Sequence, residues 1–369
     1  MISVDTIRAY TYTNININYL IKNDWRKWVN RKDGTVSYFK KDKHLLFWYF
    51  PQGILLIKFS ISKFYYGTNA KEFDLDNANL IIKLVNRKIK KLFPSSSKIN
   101  SFENWTCNEI HPFVHIHTDN IKDKIAYLEC IKKLNYPRLK KYTYPTGIQA
   151  RNKSRSINIY SKSDEIKFRA DNKPSAISVE DLSINNIENV IRFEYQLKKY
   201  SLKYGFKNNR KVKDVLRKNF CKNILVAVMK TIGLDNPFLY KTETISKIKK
   251  EFGKVKARNL IEFITDLNEN SECVINTKYS KRTKNNYLRI LKKKKINPIF
   301  LSDKVNKKIN FTNFEKPTKS TFQFSLLKIF LLITILKLCN VPLKNYYIKP
   351  IALTSVFTAE AYFHEDGGG

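Results

Sequence analysis

Apolar and polar positions alternate with a period of two through much of the first third of the chain. Ile7–Tyr12, Val36–Phe39, Leu45–Phe50 and Ile54–Ile61 are rich in β-branched and aromatic residues, and Pro51-Gln52-Gly53 punctuates the last two, so all four predict strands. After Asp74 or Asp76, either of which can cap a helix, the period lengthens. Leu80, Ile81, Leu84 and Ile89 recur at helical spacing as far as about Phe93, where Pro94 and three serines stop it. A further strand is expected from about Trp105 towards Thr118, interrupted at Pro112. A helix over Ile121–Leu134 follows, capped by Asp119 or Asn120, with Ile125, Leu128 and Ile131 on one side.

Two more strands, near Gly147–Arg151 and Arg155–Ser161, flank a turn at Asn152-Lys153. The polar segment 170–186 reads as a loop, and Val190–Leu197 as a strand. Beyond Lys211 the pattern is helical: Lys211–Ile232, Ile245–Phe252, Val255–Asn268 and Lys284–Lys295. Strands with interspersed helices, followed by helices alone, predict an α+β fold. Its expected parts are an antiparallel-sheet domain over 1–200, a helical accessory region over 201–310, and an apolar helix with a flexible tail over 311–369.

Charge changes the picture from fold to partner. The chain carries 69 Lys and Arg against 32 Asp and Glu, a net +37. A lysine-rich codon bias explains part of the excess but does not require so few acids. A polyanion is the natural partner, because each neutralised phosphate releases counterions. Five widely spaced cysteines with no C-x-x-C pair suit core positions in a reducing compartment. The first residues show no basic segment followed by an apolar one, so a cytoplasmic location is expected. The apolar stretch 322–339 is broken by Lys328 and Lys337, which leaves it short of the roughly 20 residues a bilayer span takes. A buried helix is the first reading of it, and a membrane-associated segment the second.

Two constellations carry chemistry. Three of the five histidines fall within Glu109-Ile110-His111-Pro112-Phe113-Val114-His115-Ile116-His117. On a strand, Glu109 and His111 share a face, as do His115 and His117, and imidazole with carboxylate suits a divalent ion. The two pairs lie roughly 20 Å apart at strand rise and cannot share one ion. A solvated strand face with scattered histidines is the plainer alternative. The second constellation is Arg151 to Glu165, in which Tyr160 ends an alternating strand within a basic field, with Lys162 on its face. Phenol is a poor nucleophile at its ordinary pKa near 10, and neighbouring cations would favour phenolate. By chemistry alone Tyr160 is one of 21 tyrosines.

A resemblance singles it out. Asn104-Trp105-Thr106-Cys107-Asn108-Glu109-Ile110-His111 resembles the W-x-V-S-R-I-D segment of the filamentous-phage gene II family of rolling-circle replication initiators. Tyr136-Pro137-Arg138, Thr143-Tyr144-Pro145-Thr146-Gly147 and Asn152-Lys153-Ser154-Arg155 resemble the stretch before that family's Y-D-K-x-x-E, met here as Tyr160-Ser161-Lys162-Ser163-Asp164-Glu165. Ile191-Arg192-Phe193-Glu194-Tyr195 resembles its L-R-F-E strand. Asp5-Thr6-Ile7-Arg8 and Ser280 to Arg289 extend the ordered series over about residues 5–295.

The resemblance implies a DNA nickase related to the His-hydrophobic-His endonucleases, dependent on Mg²⁺ or Mn²⁺. Tyr160 would attack the origin phosphodiester with Lys162 near the phosphate, giving a 5′-phosphotyrosine link and a 3′-hydroxyl primer. Glu109 and His111 would bind the metal with Glu194 as third ligand, His115 and His117 being the alternative pair. The family's Arg-Ile-Asp is replaced here by Glu109-Ile110-His111. Arg151, Lys153, Arg155 and Arg192 are the expected DNA contacts; origin DNA, a host helicase and a polymerase are the implied partners. The rival reading is a non-catalytic basic DNA-binding protein descended from such an initiator.

Overall fold

The computed structural model describes residues 1–30, 34–69, 71–94, 99–172, 187–206, 210–301, 309, 311 and 312. The chain divides into two compact units, Met1–Phe314 and Glu315–Gly369. The second, which includes the apolar stretch 322–339 and the tail, lies outside the described residues.

The fold is α+β. Its frame is one ten-stranded sheet in the order β2-β3-β4-β5-β1-β6-β10-β9-β8-β7, antiparallel at every pairing. The strands are β1 (Ile2–Tyr12), β2 (Arg26–Val29), β3 (Val36–Asp42), β4 (Leu45–Phe50), β5 (Ile54–Ser60), β6 (Thr106–His117), β7 (Lys140–Tyr144), β8 (Gly147–Arg151), β9 (Arg155–Ser161) and β10 (Val190–Lys198). The alternating segments predicted as strands are all present. Arg26–Val29 and Lys140–Tyr144 were not expected as strands. The first is exposed along its whole length, so no alternation marks it, and both are edge strands held by pairing to β3 and β8.

Alternation gives the sheet two unlike faces. One face carries Ile7 and Ala9 of β1, Ile110, Val114 and Ile116 of β6, Ile157 and Ile159 of β9, and Ile191 and Phe193 of β10. Helices α3 (Ala78–Leu92), α4 (Ile121–Lys133) and α8 (Lys218–Ile232) join that core through Ile81, Val85, Tyr127, Ile131, Leu225 and Met229. Each such side chain withdrawn from water contributes about 1.5–3 kcal/mol, which is what fixes the register of the central strands. The polar residues of the same strands are thereby directed to the other face, called here the far face.

Local chemistry sets the helix ends. Asn120, not Asp119, caps α4, its Oδ1 accepting from the Asp123 amide at 2.8 Å. Asp74 caps a single 3-10 turn, Leu75–Asn77, from which α3 continues. The expected helix Lys211–Ile232 is two pieces, α7 (Val212–Val215) and α8, and the Val212 amide donates to the Trp105 carbonyl at 2.9 Å just ahead of β6. β6 is not broken at Pro112. It runs through 106–117 with Pro112 opposite Val4, and on the β10 side the ladder opens only opposite Pro112 and His111. Proline has no N–H to donate there, and the flanking pairs hold the strand.

Three short helices were not expected: α1 (Ile17–Lys22), α2 (Ile61–Tyr66) and α11 (Glu272–Lys278). A longer one, α5 (Lys162–Asn172), starts directly where β9 stops, and α6 (Lys199–Phe206) continues β10. The helical region 201–310 divides between two cores. α7 and α8 share the core of the sheet, whereas α9 (Lys241–Glu251), α10 (Lys254–Glu269) and α12 (Lys281–Lys293) enclose their own, with Ile248, Leu260, Phe263, Ile264 and Leu291. A short parallel pair, β11 (Leu239–Tyr240) with β12 (Phe300–Leu301), brackets this second core. Among the described residues no helix is long and apolar enough to cross a membrane.

Candidate active site

The far face of β8, β9, β10 and β6 is built as cross-strand rows. Gly147, Tyr160, Arg192 and His115 are successive register partners, and Gln149, Asn158, Glu194 and Phe113 form the next row. His111 and then Glu109 follow along β6, with Arg8 of β1 and Lys58 of β5 beyond Glu109. Strand periodicity thus brings Tyr160, Arg192, Glu194, His111 and Glu109 to one surface.

At its centre stands a buried ion network. The Arg192 guanidinium is 1% exposed; its Nη2 lies 2.9 Å from Asp5 Oδ1 and 3.2 Å from Glu194 Oε2, and its Cζ is 3.7 Å above the centre of the Phe113 ring. Nη1 donates to the Asn69 carbonyl at 3.4 Å. Glu194 Oε1 accepts from Gln196 at 2.8 Å and Asn158 at 3.3 Å, and lies 3.8 Å from His111 Nδ1. His111 Nε2 is 2.9 Å from Glu109 Oε1, which also accepts from Lys58 Nζ at 3.2 Å. The three expected ligands Glu109, His111 and Glu194 are therefore linked side chain to side chain.

Electrostatics follow from this arrangement. Burial works against the Glu109 charge, but His111 and Lys58 outweigh it and hold its pKa down at about 2. Asp5 is likewise buried, and Arg192, Thr6 and His111 bring it to about 2. Burial raises the Tyr160 phenol well above its ordinary value, with Arg192 pulling it down and Glu194 pushing it up. Tyr160 is a neutral phenol in the resting site.

Lys162 lies just beyond the strand, on the side of the sheet that carries Arg192 and His115, and it acts on both. It is the first residue of α5, with its side chain fully buried and Nζ 2.9 Å from Glu165 Oε2 and 3.4 Å from Asn69 Oδ1. Burial lowers its pKa, and so does Arg192, while Glu165 raises it. Asp164 and Glu165 in the first turn suit the positive end of that helix.

Of the expected DNA contacts, Arg151 and Lys153 are exposed at the β8–β9 hairpin and Arg155 is half-buried beside Tyr195. Arg192 is not available to a phosphate at the surface. An inward position on a central strand, with Asp5 and Glu194 as partners, makes it an internal counter-charge.

The alternative pair occupies a different environment. His115 is buried, its Nδ1 3.5 Å from Glu72 Oε1, while its amide donates to the same oxygen at 3.2 Å. Burial, Arg192 and Lys162 together hold its pKa well below the usual imidazole value. His117 is exposed, at the end of β6. Among the described residues no three His, Cys, Asp or Glu side chains already stand as a metal cage. By donor chemistry, two carboxylates and an imidazole at Glu109, His111 and Glu194 suit a divalent ion that would compete with Lys58 and Arg192 for the carboxylates.

Several members of the site were not legible beforehand. Asn69, Glu72 and Asn158 enter only through tertiary contacts. Gly147 is dictated by packing: a Cβ there would lie 2.2 Å from the Ile159 carbonyl oxygen and 2.6 Å from Tyr160 Cα. Asp5 carried a faint signal, being a lone acid in the apolar start of β1.

No family model matches the chain, and no curated protein matches it. Among solved structures it is similar to a Methanococcus jannaschii TBP at 12% identity, covering 58% of this chain and 97% of that one, with a TM-score of 0.27. A likeness at that score supports no inference about fold or function.

Proposed function

We propose that this chain is a DNA-nicking and strand-joining enzyme that initiates rolling-circle replication, with Tyr160 as nucleophile. The observation that carries the reading is the far-face cluster: a tyrosine, an arginine held between two carboxylates, and a Glu-His-Glu chain, all on adjacent central strands.

The Tyr160 oxygen attacks the scissile phosphorus, forming a P–O bond to the phenol while the bond to the 3′ oxygen breaks. The 3′ oxygen leaves as a hydroxyl after taking up a proton, and the 5′ phosphate stays on Tyr160. Because burial keeps the phenol neutral, its proton must be removed as the bond forms. Arg192, the register partner of Tyr160, favours the phenolate. Asp5 and Phe113 fix the guanidinium, so its charge is preorganised. Glu109, His111 and Glu194 would hold Mg²⁺ or Mn²⁺, which when bound polarises a phosphate oxygen. Arg151 and Lys153, with the lysines of α9 and α12, supply exposed charge for the DNA backbone. Rejoining is the reverse attack by a 3′-hydroxyl.

Incubating the full chain with single-stranded or supercoiled origin DNA and Mn²⁺ tests this. A covalent protein–DNA adduct that survives SDS and vanishes in Tyr160→Phe is the expected result. Adduct formation undiminished in Tyr160→Phe refutes the assignment; no adduct from either protein favours a non-catalytic DNA-binding role.

A further inference from the structure

The other half of the far face, over β2, β3, β4, β5 and β1, takes no part in that chemistry. One register row across it reads Arg26, Phe39, Trp48, Leu56 and Tyr10. The adjacent row reads Lys41, Leu46, Lys58 and Arg8, and it ends at Glu109. Phe39, Trp48, Phe50, Tyr10 and Tyr12 belong to neither hydrophobic core and pack against neither. Tyr12 is 68% exposed and Trp28, on the same face of β2, is 53% exposed. Trp25 and Trp105, by contrast, are buried.

We infer that this half-sheet is a platform for single-stranded nucleic acid, bases stacking on the aromatic row and phosphates lying along the cationic one. The inference rests on the nicking reading for its place in the cycle: the cationic row leads directly to Glu109. Three observations support it. An aromatic row outside any core is costly to leave in water and has a flat π surface that any base can use. The rows are two residues apart, about 7 Å at strand rise, comparable with the separation of a base from its own phosphate. Arg26 and Lys41 are exposed, and Lys58 and Arg8 together outnumber their partner Glu109, so the rows keep a net positive charge that favours a polyanion over an apolar protein partner. A duplex hides its base faces inside the stack, so the platform discriminates by strandedness.

The test uses the full chain in EDTA, so that no cleavage intervenes. Oligothymidylate should quench the fluorescence of Trp28 and Trp48 and bind with a salt-dependent Kd. Trp48→Ala and Tyr10→Ala should each weaken binding roughly 5- to 100-fold, with Trp48→Phe near the parent and duplex binding unchanged. Lys41→Ala should lower the salt slope by about one unit or less. Oligothymidylate binding unchanged in correctly melting Trp48→Ala and Tyr10→Ala overturns the platform, as does quenching traced by sedimentation to self-association. Covalent-adduct formation is scored separately, on single-stranded origin DNA with Mn²⁺. Platform binding without any adduct sinks only the nicking reading, and an adduct with unaltered Trp48→Ala affinity sinks only the platform.

Discussion

The two ends of β6 present the same sequence device, a pair of metal-capable side chains two residues apart, in different surroundings. Glu109 and His111 meet Glu194 and Asp5, three carboxylates that Lys58, Arg8 and Arg192 pair with. His115 is buried between Arg192 and Lys162 on one side and Glu72 on the other, and is held neutral. Spacing nominates a ligand pair; neighbouring strands then give the two pairs different partners. Arg192 joins the ends, because it is the register partner of His115 while its charge is spent on Asp5 and Glu194.

The sharpest way to break this contrast is Arg192→Met. It leaves Asp5 and Glu194 buried without their counter-charge, and removing one partner of such a pair costs about 3–5 kcal/mol. Denaturant unfolding should record that loss, and the adduct yield should fall more than the fraction unfolded. Asp5→Asn in the same background should recover part of it.

Gly147→Ala probes the nucleophile's end of the row. The added methyl meets backbone, so β8 and β9 must separate at a cost of about 1–3 kcal/mol. Thermal unfolding should show the shift, and Tyr160 should lose reactivity out of proportion to it.

The smallest effect separates the ends by pH. His115 is held neutral, with a folded pKa below 6.5, so the unfolded chain binds the proton first. Stability is whole above about 6.5 and declines as pH falls below it, by at most about 1.4 kcal/mol per pH unit. Asp5 acts in a lower window: its contribution is complete above 3.8 and is lost as pH falls towards about 2. His115→Gln should flatten the stability curve near pH 6 without touching the acid limb, and Asp5→Asn the reverse. His44 and His117 share the direction of His115, so some slope should persist in His115→Gln. An unchanged slope would show that His115 is not the buried neutral group.

Much of the sheet was legible because burial of one face enforces a period of two. The same rule placed Glu109 with His111, whereas Glu194 was reached only through the family resemblance. What sequence could not give was the order of strands. β6 lies between β1 and β10, so Asp5 and Arg192 pair across it though 187 positions separate them along the chain. Pro112 misled for a related reason: a missing donor ends an isolated strand but only opens a notch in one clamped on both sides. Helix and strand adjoin at Lys162 without a linker, so the change of period falls within the motif itself.

The edges of the sheet carry a last consequence. β2 opens with Arg26-Lys27 and β7 with Lys140-Lys141, and these are the outermost strands. Unpaired edge amides and carbonyls invite a second copy to zip on, yet any edge-to-edge approach here sets cation against cation. Like charge on both rims thus keeps one copy's edge from sealing against another's.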